Sequence, residues 1–357
     1  MKLDIKNEMI KSDMEDIYGR GMDWNRFHEK TVFISGAYGM LASYMVCFFM
    51  YLNMYTQISV RVIAQGRNEE KARERFGAFW DHENFRFYAG DILYPVKDIP
   101  EADYIIHTAG MANPRYYTTM PVEVIEPNVI GTYNLLRLAK EKNCRGFLFF
   151  STGDVYGKVA SPENMNENTM GMMDPLEEHS CYGESKRLGE TLCAAFYREY
   201  DVPVTMARIG HTYGPTMDVE NDPRVFTSFI KCILKQEDIV LYSDGSARRP
   251  FCYIADATAA FLLLLLEGAP GEAYNVANTE QFVSVGELAE ILAEIPEKKV
   301  SVVRKVRKTE DNYLEAKLNP GNKPSEKKLR EMGWETHYNV RDGFERVYRC
   351  LRDNYRG

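Results

Sequence analysis

Tyr182 and Lys186 stand four residues apart in the string Cys181-Tyr182-Gly183-Glu184-Ser185-Lys186. On a helix that spacing puts both on one face. A nearby ammonium favours the phenolate, so the spacing predicts a tyrosine pKa drawn down toward neutral. A tyrosine so tuned takes a proton from a hydroxyl while the carbon beneath gives a hydride to a nicotinamide. The lysine is also placed to hold the nicotinamide ribose. Tyr-x-x-x-Lys alone is a common coincidence, so its setting decides. Ahead of it lies Ser151-Thr152-Gly153-Asp154-Val155-Tyr156-Gly157. Thr152 can hydrogen-bond a sugar hydroxyl, and Asp154 sets a carboxylate in the same place. The plainer alternative for both is a capped turn before a helix.

The elements that must hold these groups alternate. Short apolar, β-prone runs fall at Thr31–Ser35, Ser59–Ala64, Phe85–Tyr88, Tyr104–His107, Gly146–Phe150 and Pro203–Arg208. Helical spacing of apolar residues marks a helix from Met40, another over Pro121–Lys142 and a third over Cys181–Tyr200. Strands that are apolar throughout are covered on both faces, which predicts a parallel, doubly wound α/β sheet. Tyr182 and Lys186 then sit on the helix after the fifth strand, and Thr152 and Asp154 at that strand's carboxyl end, which faces the ligand crevice. Beyond about residue 215 the elements turn short and mixed: helices at Arg224–Lys235, Ile254–Glu267 and Ser284–Ile295, strands at Ile239–Tyr242 and Lys299–Val303. This predicts three parts: a polar, partly helical extension at 1–30, a dinucleotide-binding domain at 31–215, and a smaller mixed α/β substrate lobe at 216–357, interleaved with it. The extension is expected on the surface or against a partner subunit.

The first strand runs into Gly36-Ala37-Tyr38-Gly39-Met40-Leu41-Ala42. Gly36 can take the tight turn, Gly39 lets backbone approach a pyrophosphate, and Ala42 permits close helix–strand packing. The phosphate would lie on the helix N-terminus, where free N–H groups and the dipole favour an anion. A tight turn without a ligand is the alternative. The second strand ends Ala64-Gln65-Gly66-Arg67-Asn68, without the acid that commonly holds the ribose hydroxyls of NAD. Gln65 could hydrogen-bond a ribose. Arg67 could pair with a 2′-phosphate, which would mean NADP, or could be a solvated arginine at a helix start. The expectation leans to NAD and leaves NADP open.

The chain has 357 residues, 45% hydrophobic and 27% charged, with a formal net charge of −8. That balance argues against nucleic acid or an acidic lipid surface as partner. Seven scattered cysteines show no metal-ligand or disulfide spacing, and no metal is expected. No apolar run approaches the roughly 20 residues of a membrane span. The N-terminal residues carry both charge signs and lack the apolar stretch of a signal peptide, so a cytoplasmic protein is expected.

Eight strings in order resemble the extended short-chain dehydrogenase/reductases that modify nucleotide sugars. They are GAYGMLA (36–42), GD (90–91), HTAG (107–110), NVIGTYNLL (128–136), STGDVYG (151–157), YGESK (182–186), RIGHTYGP (208–215) and RRPFCYIAD (248–256). The resemblance runs from about residue 30 to about residue 340. It implies that Gly36, Gly39, Met40, Leu41 and Ala42 hold the NAD pyrophosphate and that Asp91 and Ile92 meet the adenine. Thr108, Ala109, Gly110 and Asn128 would line the cofactor, with Arg67 beside it. Thr152, Tyr182 and Lys186 would be the catalytic trio, with Asp154 beside them. Arg249 would bind the substrate diphosphate, with Arg224 and His211 as further substrate contacts; His211 could equally be a hydrogen-bonded core residue. The family also implies a homodimer built on the helices near 121–142 and 181–200.

Such enzymes oxidise a sugar carbon, usually C4, and the 4-keto sugar then loses CO2, loses water, is reduced again from the other face or is epimerised beside the ketone. Ala112-Asn113-Pro114 with Tyr117 and Pro121, Ser180-Cys181-Tyr182, and the string at 214–230 are most similar to UDP-glucuronate decarboxylases. Three positions depart: those enzymes carry Glu at Asp154, Asn at His211 and Arg at Thr216. The hexose 4,6-dehydratases carry an Asp–Glu pair where this chain has Gly153-Asp154, which weakens dehydration. A 4-epimerase is the nearer alternative, and a non-catalytic NAD-binding regulatory protein is the alternative of another class.

Overall fold

A computed structural model describes residues 2–163, 165–305 and 322–355. In chain order the strands are β1 (Lys30–Ser35), β2 (Val60–Gly66), β3 (Phe85–Ala89), β4 (Tyr104–His107), β5 (Gly146–Thr152) and β6 (Val204–Ile209). After them come β7 (His211–Tyr213), β8 (Ile239–Leu241), β9 (Arg248–Tyr253), β10 (Ala273–Val276), β11 (Phe282–Ser284) and β12 (Val302–Arg304). The helices are α1 (Glu8–Tyr18), α2 (Met40–Tyr55), α3 (Glu69–Phe76), α4 (Arg115–Thr119), α5 (Pro121–Glu126) and α6 (Thr132–Lys142). They continue with α7 (Ser180–Tyr200), α8 (Val225–Lys235), α9 (Ile254–Glu267), α10 (Val285–Ala293), α11 (Lys327–Arg330) and α12 (Val340–Tyr355).

Seven strands form one sheet in the order β10-β6-β5-β4-β1-β2-β3, every pairing parallel. Strand order reverses between β1 and β4, which opens a crevice at their carboxyl ends. Alternate residues of β1 divide between the two faces. Val32 and Ile34 join the core under α2 and α9, while Phe33 joins the core under α6 and α7. Both faces are covered, as the unbroken apolar runs predict. The sheet draws its seventh strand, β10, from well beyond residue 215. Two small sheets, β11-β9-β7 and β8 with β12, build the rest of the C-terminal part.

One expectation needs correcting, and a second, left open, is narrowed. The Pro121–Lys142 helix is not continuous: a π-helical turn, Pro127–Gly131, separates α5 from α6. Pro127 has no N–H to donate, and the wider turn places Asn128 inward. The N-terminal extension, whose packing the sequence leaves undecided, lays α1 against α2, α9 and α12. Asn7 caps α1 by accepting from the Met9 and Ile10 N–H groups, and Ile10, Met14 and Ile17 are fully buried.

Asp13 is buried among them and accepts from the hydroxyls of Tyr44 and Tyr253 and from Arg346 Nε at 2.8 Å. One carboxylate thereby joins α1 to α2, β9 and α12. Arg346→Ala would strand a buried charge with only two hydroxyl donors. It is expected to lower stability by about 3 kcal/mol in urea denaturation; a loss within about 0.5 kcal/mol would mean the pair is dispensable.

Candidate active site

The turn from β1 to α2 is built for close approach. Gly36 has φ +63°, and a Cβ there would lie 2.8 Å from Ala109 Cα. Gly39 caps α2 without a side chain, and the helix ladder begins with Ser43 N–H donating to Gly39 O. The N–H groups of Met40, Leu41 and Ala42 precede that ladder and point toward the turn. Gln65 is engaged at both ends of its amide within the protein. Its Oε1 accepts from Gly36 N–H at 3.1 Å and its Nε2 donates to Gly90 O at 2.6 Å. The amide is a brace between the glycine turn and the end of β3. Arg67 is 68% exposed, with Nη1 3.7 Å from Asp91 Oδ2. Asp91 Oδ1 accepts from Leu93 N–H, and Ile92 is buried beside Gly131.

At the end of β4, Thr108 Oγ1 donates to Ser35 O, and Ala109 packs on Gly36. His107 is fully buried, with Nδ1 2.9 Å from Ser35 Oγ and Nε2 3.0 Å from Thr132 Oγ1. Burial first, and Lys186 second, push its pKa down to about 3. The unfolded chain therefore binds a proton at this residue that the folded chain refuses, and stability falls as pH drops below the unfolded value. From about pH 7 to about pH 5, His107→Gln is expected to lose about 2 kcal/mol less than the wild type in urea titrations. Equal losses would contradict the assignment.

Asn128, on the π-helical turn, donates to Val124 O and Ser185 Oγ, but its buried Oδ1 has no partner. That oxygen and Lys186 Nζ both border the space over Gly110, 3.0 and 3.6 Å from where a Cβ would stand. A buried acceptor left open, beside two glycines at which a side chain would crowd backbone or a polar neighbour, fits a dinucleotide laid along this edge.

The catalytic candidates converge at the junction of β5 and α7. Thr152 ends β5, and its hydroxyl accepts from Asp154 N–H at 3.2 Å. Lys186 Nζ donates to Phe150 O at 2.7 Å and lies 6.0 Å from the centre of the Tyr182 ring. Burial pushes Lys186 down to about 7. The expected fall of the Tyr182 pKa is not found: burial, then Asp154, raise it, and the Thr152 hydroxyl draws it part of the way back. Burial is the largest cause, and the Lys186 ammonium donates to the Phe150 carbonyl rather than to the Tyr182 hydroxyl. Tyr117 lies flat on Tyr182, with ring centres 5.0 Å apart and planes at 12°. The edge of His179 meets Tyr117 in turn. Sequence spacing offered no signal for His179.

On the far side of the cleft, β9 brings Arg249 near Asp154 and His211. Asp154 is accessible from the cleft; crowding by protein atoms raises its pKa, and Arg249 and His179 oppose the rise. His211 is pushed down to about 3 by burial, Arg249 and Arg224, so it is neutral. Arg224 is held by Asp222, with Nε 2.8 and 3.0 Å from its two oxygens, and its guanidinium lies 4.6 Å from the Phe226 ring centre. Its charge is thereby largely committed before any ligand arrives. Thr216 is buried and donates to Met40 O, behind the turn from β1 to α2.

Residues 32–277 match the model of the NAD-dependent epimerase/dehydratase family. The chain belongs to that family. The match ends just past β10 and omits α1 and α12. UDP-glucuronic acid decarboxylase 3 of Arabidopsis thaliana is 33% identical over 314 residues, 87% of this chain and 86% of that protein. A Bacillus cereus UDP-glucuronic acid 4-epimerase, solved in complex with NAD, superposes with a TM-score of 0.74 at 20% identity, covering 92% of this chain and 98% of that one. DesIV, a dTDP-glucose 4,6-dehydratase of Streptomyces venezuelae solved with NAD, superposes at 0.73 with 22% identity, covering 91% and 97%. Among the described residues no helix of this family member is long and apolar enough to cross a membrane.

Proposed function

We propose that the chain is an NAD-dependent enzyme that decarboxylates a UDP-hexuronate through a 4-keto sugar. The observation that carries the reading is the meeting of Thr152, Asp154, Tyr182 and Lys186 at the end of β5, beside the open Asn128 oxygen and the Gly36 turn. Gly36, Gly39, Met40, Leu41 and Ala42 would hold the pyrophosphate, Asp91 and Ile92 the adenine end, and Thr108, Ala109, Gly110 and Asn128 the inner edge. The Asp91 carboxylate near Arg67 opposes a 2′-phosphate there and supports NAD over NADP. When bound, NAD supplies a positively charged ring and the acceptor for the C4 hydrogen with its electron pair.

Thr152 orients the C4 hydroxyl, and Tyr182 Oη takes its proton. Lys186 and the bound cation together offset the burial that keeps Tyr182 protonated in the free protein. The resulting ketone lies β to the C6 carboxylate, so the C5–C6 bond breaks with loss of CO2 and the electron pair enters the ketone as an enolate. A proton donor must then return a proton to C5, a role that Asp154, with its raised pKa, would fill; the C4 ketone finally takes back the hydride and, from Tyr182, the proton, so the net change is the loss of CO2. A single acid at the strand end suffices for this sequence, whereas dehydration moves protons at two carbons. Arg249 would hold the diphosphate, His211 and Arg224 would border it, and residues 216–357 would supply most of the substrate side. Relatives in the decarboxylase group, 31–36% identical, support the choice of reaction.

Incubation with NAD and UDP-glucuronate, UDP-glucose, GDP-mannose or dTDP-glucose, followed by product masses, tests it. A product lighter by one CO2, from UDP-glucuronate alone, is expected. Loss of water would mean a dehydratase, and an unchanged mass with altered sugar NMR a 4-epimerase. No turnover of any of them would leave only a regulatory NAD-binding role.

Val122 and Ile125 of α5, Ile130 of the π-helical turn, Tyr133 of α6, and Leu188 and Tyr200 of α7 are exposed. This apolar face supports a homodimer, in a cytoplasmic protein, paired through these helices. Sedimentation equilibrium is expected to give twice the chain mass for wild type and the chain mass for Ile130→Asp.

A further inference from the structure

Three consecutive residues of β5 each engage one member of a stripe on α7. Phe150 O accepts from Lys186 Nζ at 2.7 Å, Ser151 Oγ donates to Glu190 Oε1 at 2.6 Å, and the Thr152 hydroxyl partners Tyr182. Residues 182, 186 and 190 are spaced by four, so they line one helix face about a turn apart. The proposed reaction uses two of the three and assigns nothing to Glu190.

Glu190 is elaborately held. Arg208 of β6 donates from Nε to Oε1 at 2.9 Å and from Nη2 to Oε2 at 2.7 Å, and the two side chains are 12% and 13% exposed. The Arg208 Nη1 donates to Glu167 O, and its guanidinium lies 4.9 Å from the Tyr156 ring centre. Such a fork fixes the carboxylate's place as well as its charge.

We propose that Glu190 is a positioning residue that keeps Lys186 a cation beside Tyr182 and locks the α7 stripe in register with the end of β5. This rests on the reading of Tyr182 and Lys186 as the proton-transfer pair. The groups facing Lys186 are Tyr182, Glu190 and Cys193 from α7, His107 from β4, the Phe149 ring and Phe150 carbonyl from β5, and Asn128 from the π-helical turn. Arg208 stands behind Glu190. Burial lowers Lys186, and Cys193 and Glu190 oppose it. The Cys193 thiol is itself pushed well up by burial and stays neutral, and His107 is neutral. Glu190 is the one carboxylate in the set.

The test is ¹⁵N NMR titration of the Lys186 ammonium in ligand-free, full-length protein, assigned by its loss in Lys186→Met. Glu190→Gln removes the carboxylate and leaves Arg208 unopposed, so the Lys186 titration is expected to move down by about one pH unit. Arg208→Gln removes the cation and leaves Glu190, so the titration is expected to move up. A merely structural role would not shift one site in opposite directions. The double variant removes the pair without stranding a buried charge, and it is expected to titrate below wild type; it carries the test if a single variant fails to fold. An unmoved titration, or one displaced the same way in both single variants, overturns the proposal. The titration needs no substrate, so it separates this outcome from failure of the catalytic reading. That failure would appear as absent turnover by the wild type, with the titration shifts unchanged.

Discussion

Tyr182→Phe is expected to lower kcat on UDP-glucuronate by about a hundredfold to ten-thousandfold, the range for a positioned proton-transfer group. The substitution removes one oxygen and keeps the ring, so the flat contact with Tyr117 survives and the fold should hold. KM should change little, because the hydroxyl acts on the reacting bond rather than on the nucleotide. The loss would fall on kcat and on kcat/KM alike, as it does for an interaction made only in the transition state. The pH dependence has a definite sign. Tyr182 is held protonated by burial and Asp154, so the activity of the wild type should rise with pH as the phenol ionises in the complex, up to the pH at which Lys186, pushed down to about 7 by burial, loses its charge, and the variant should lose that rise. A loss smaller than about tenfold would show that another group takes the proton.

Gly36→Ala is expected to weaken NAD binding by at least about tenfold and to lower stability by about 2 kcal/mol. Two costs act together. The left-handed backbone at φ +63° disfavours any side chain, and the new Cβ would stand 2.8 Å from Ala109 Cα. The second contact is with backbone, so relief requires the end of β4 to move. Thr108, Ala109 and Gly110 move with it, and they form the proposed inner wall of the cofactor site. The Gly36 N–H also donates to Gln65, so the brace to Gly90 would loosen. Calorimetric NAD titration and urea denaturation on one preparation check both halves. NAD affinity unchanged at lowered stability would place the cofactor elsewhere.

What was legible in the sequence follows from how local each feature is. β1 to β6 could be read because each is an apolar run bounded by glycine or polar turns. The four-residue β10 could not, since nothing in Ala-Tyr-Asn-Val marks it as the partner of β6. The packing of α1 could not be decided although its buried positions, 10, 13, 14 and 17, have helical spacing. One of them is an aspartate, and its partners Tyr44, Tyr253 and Arg346 lie far away in the chain. The pairing of Tyr182 with Lys186 on one face was legible. That the ammonium turns to Phe150 O was not, because spacing fixes a face and not a rotamer. The missing ribose acid was visible at Gln65, but its work as a brace depends on Gly36 and Gly90 meeting across β1, β2 and β3. Glu190 and Arg208 are 18 residues apart on different elements, and only folding brings them behind Lys186.

The most direct test of NAD-dependent sugar oxidation through Tyr182 is the nicotinamide absorbance of NAD-loaded protein mixed with UDP-glucuronate in a single turnover. Reduced nicotinamide should appear and decay in the wild type and should be absent in Tyr182→Phe. No absorbance change with any nucleotide sugar, or an equal change in the variant, would contradict it.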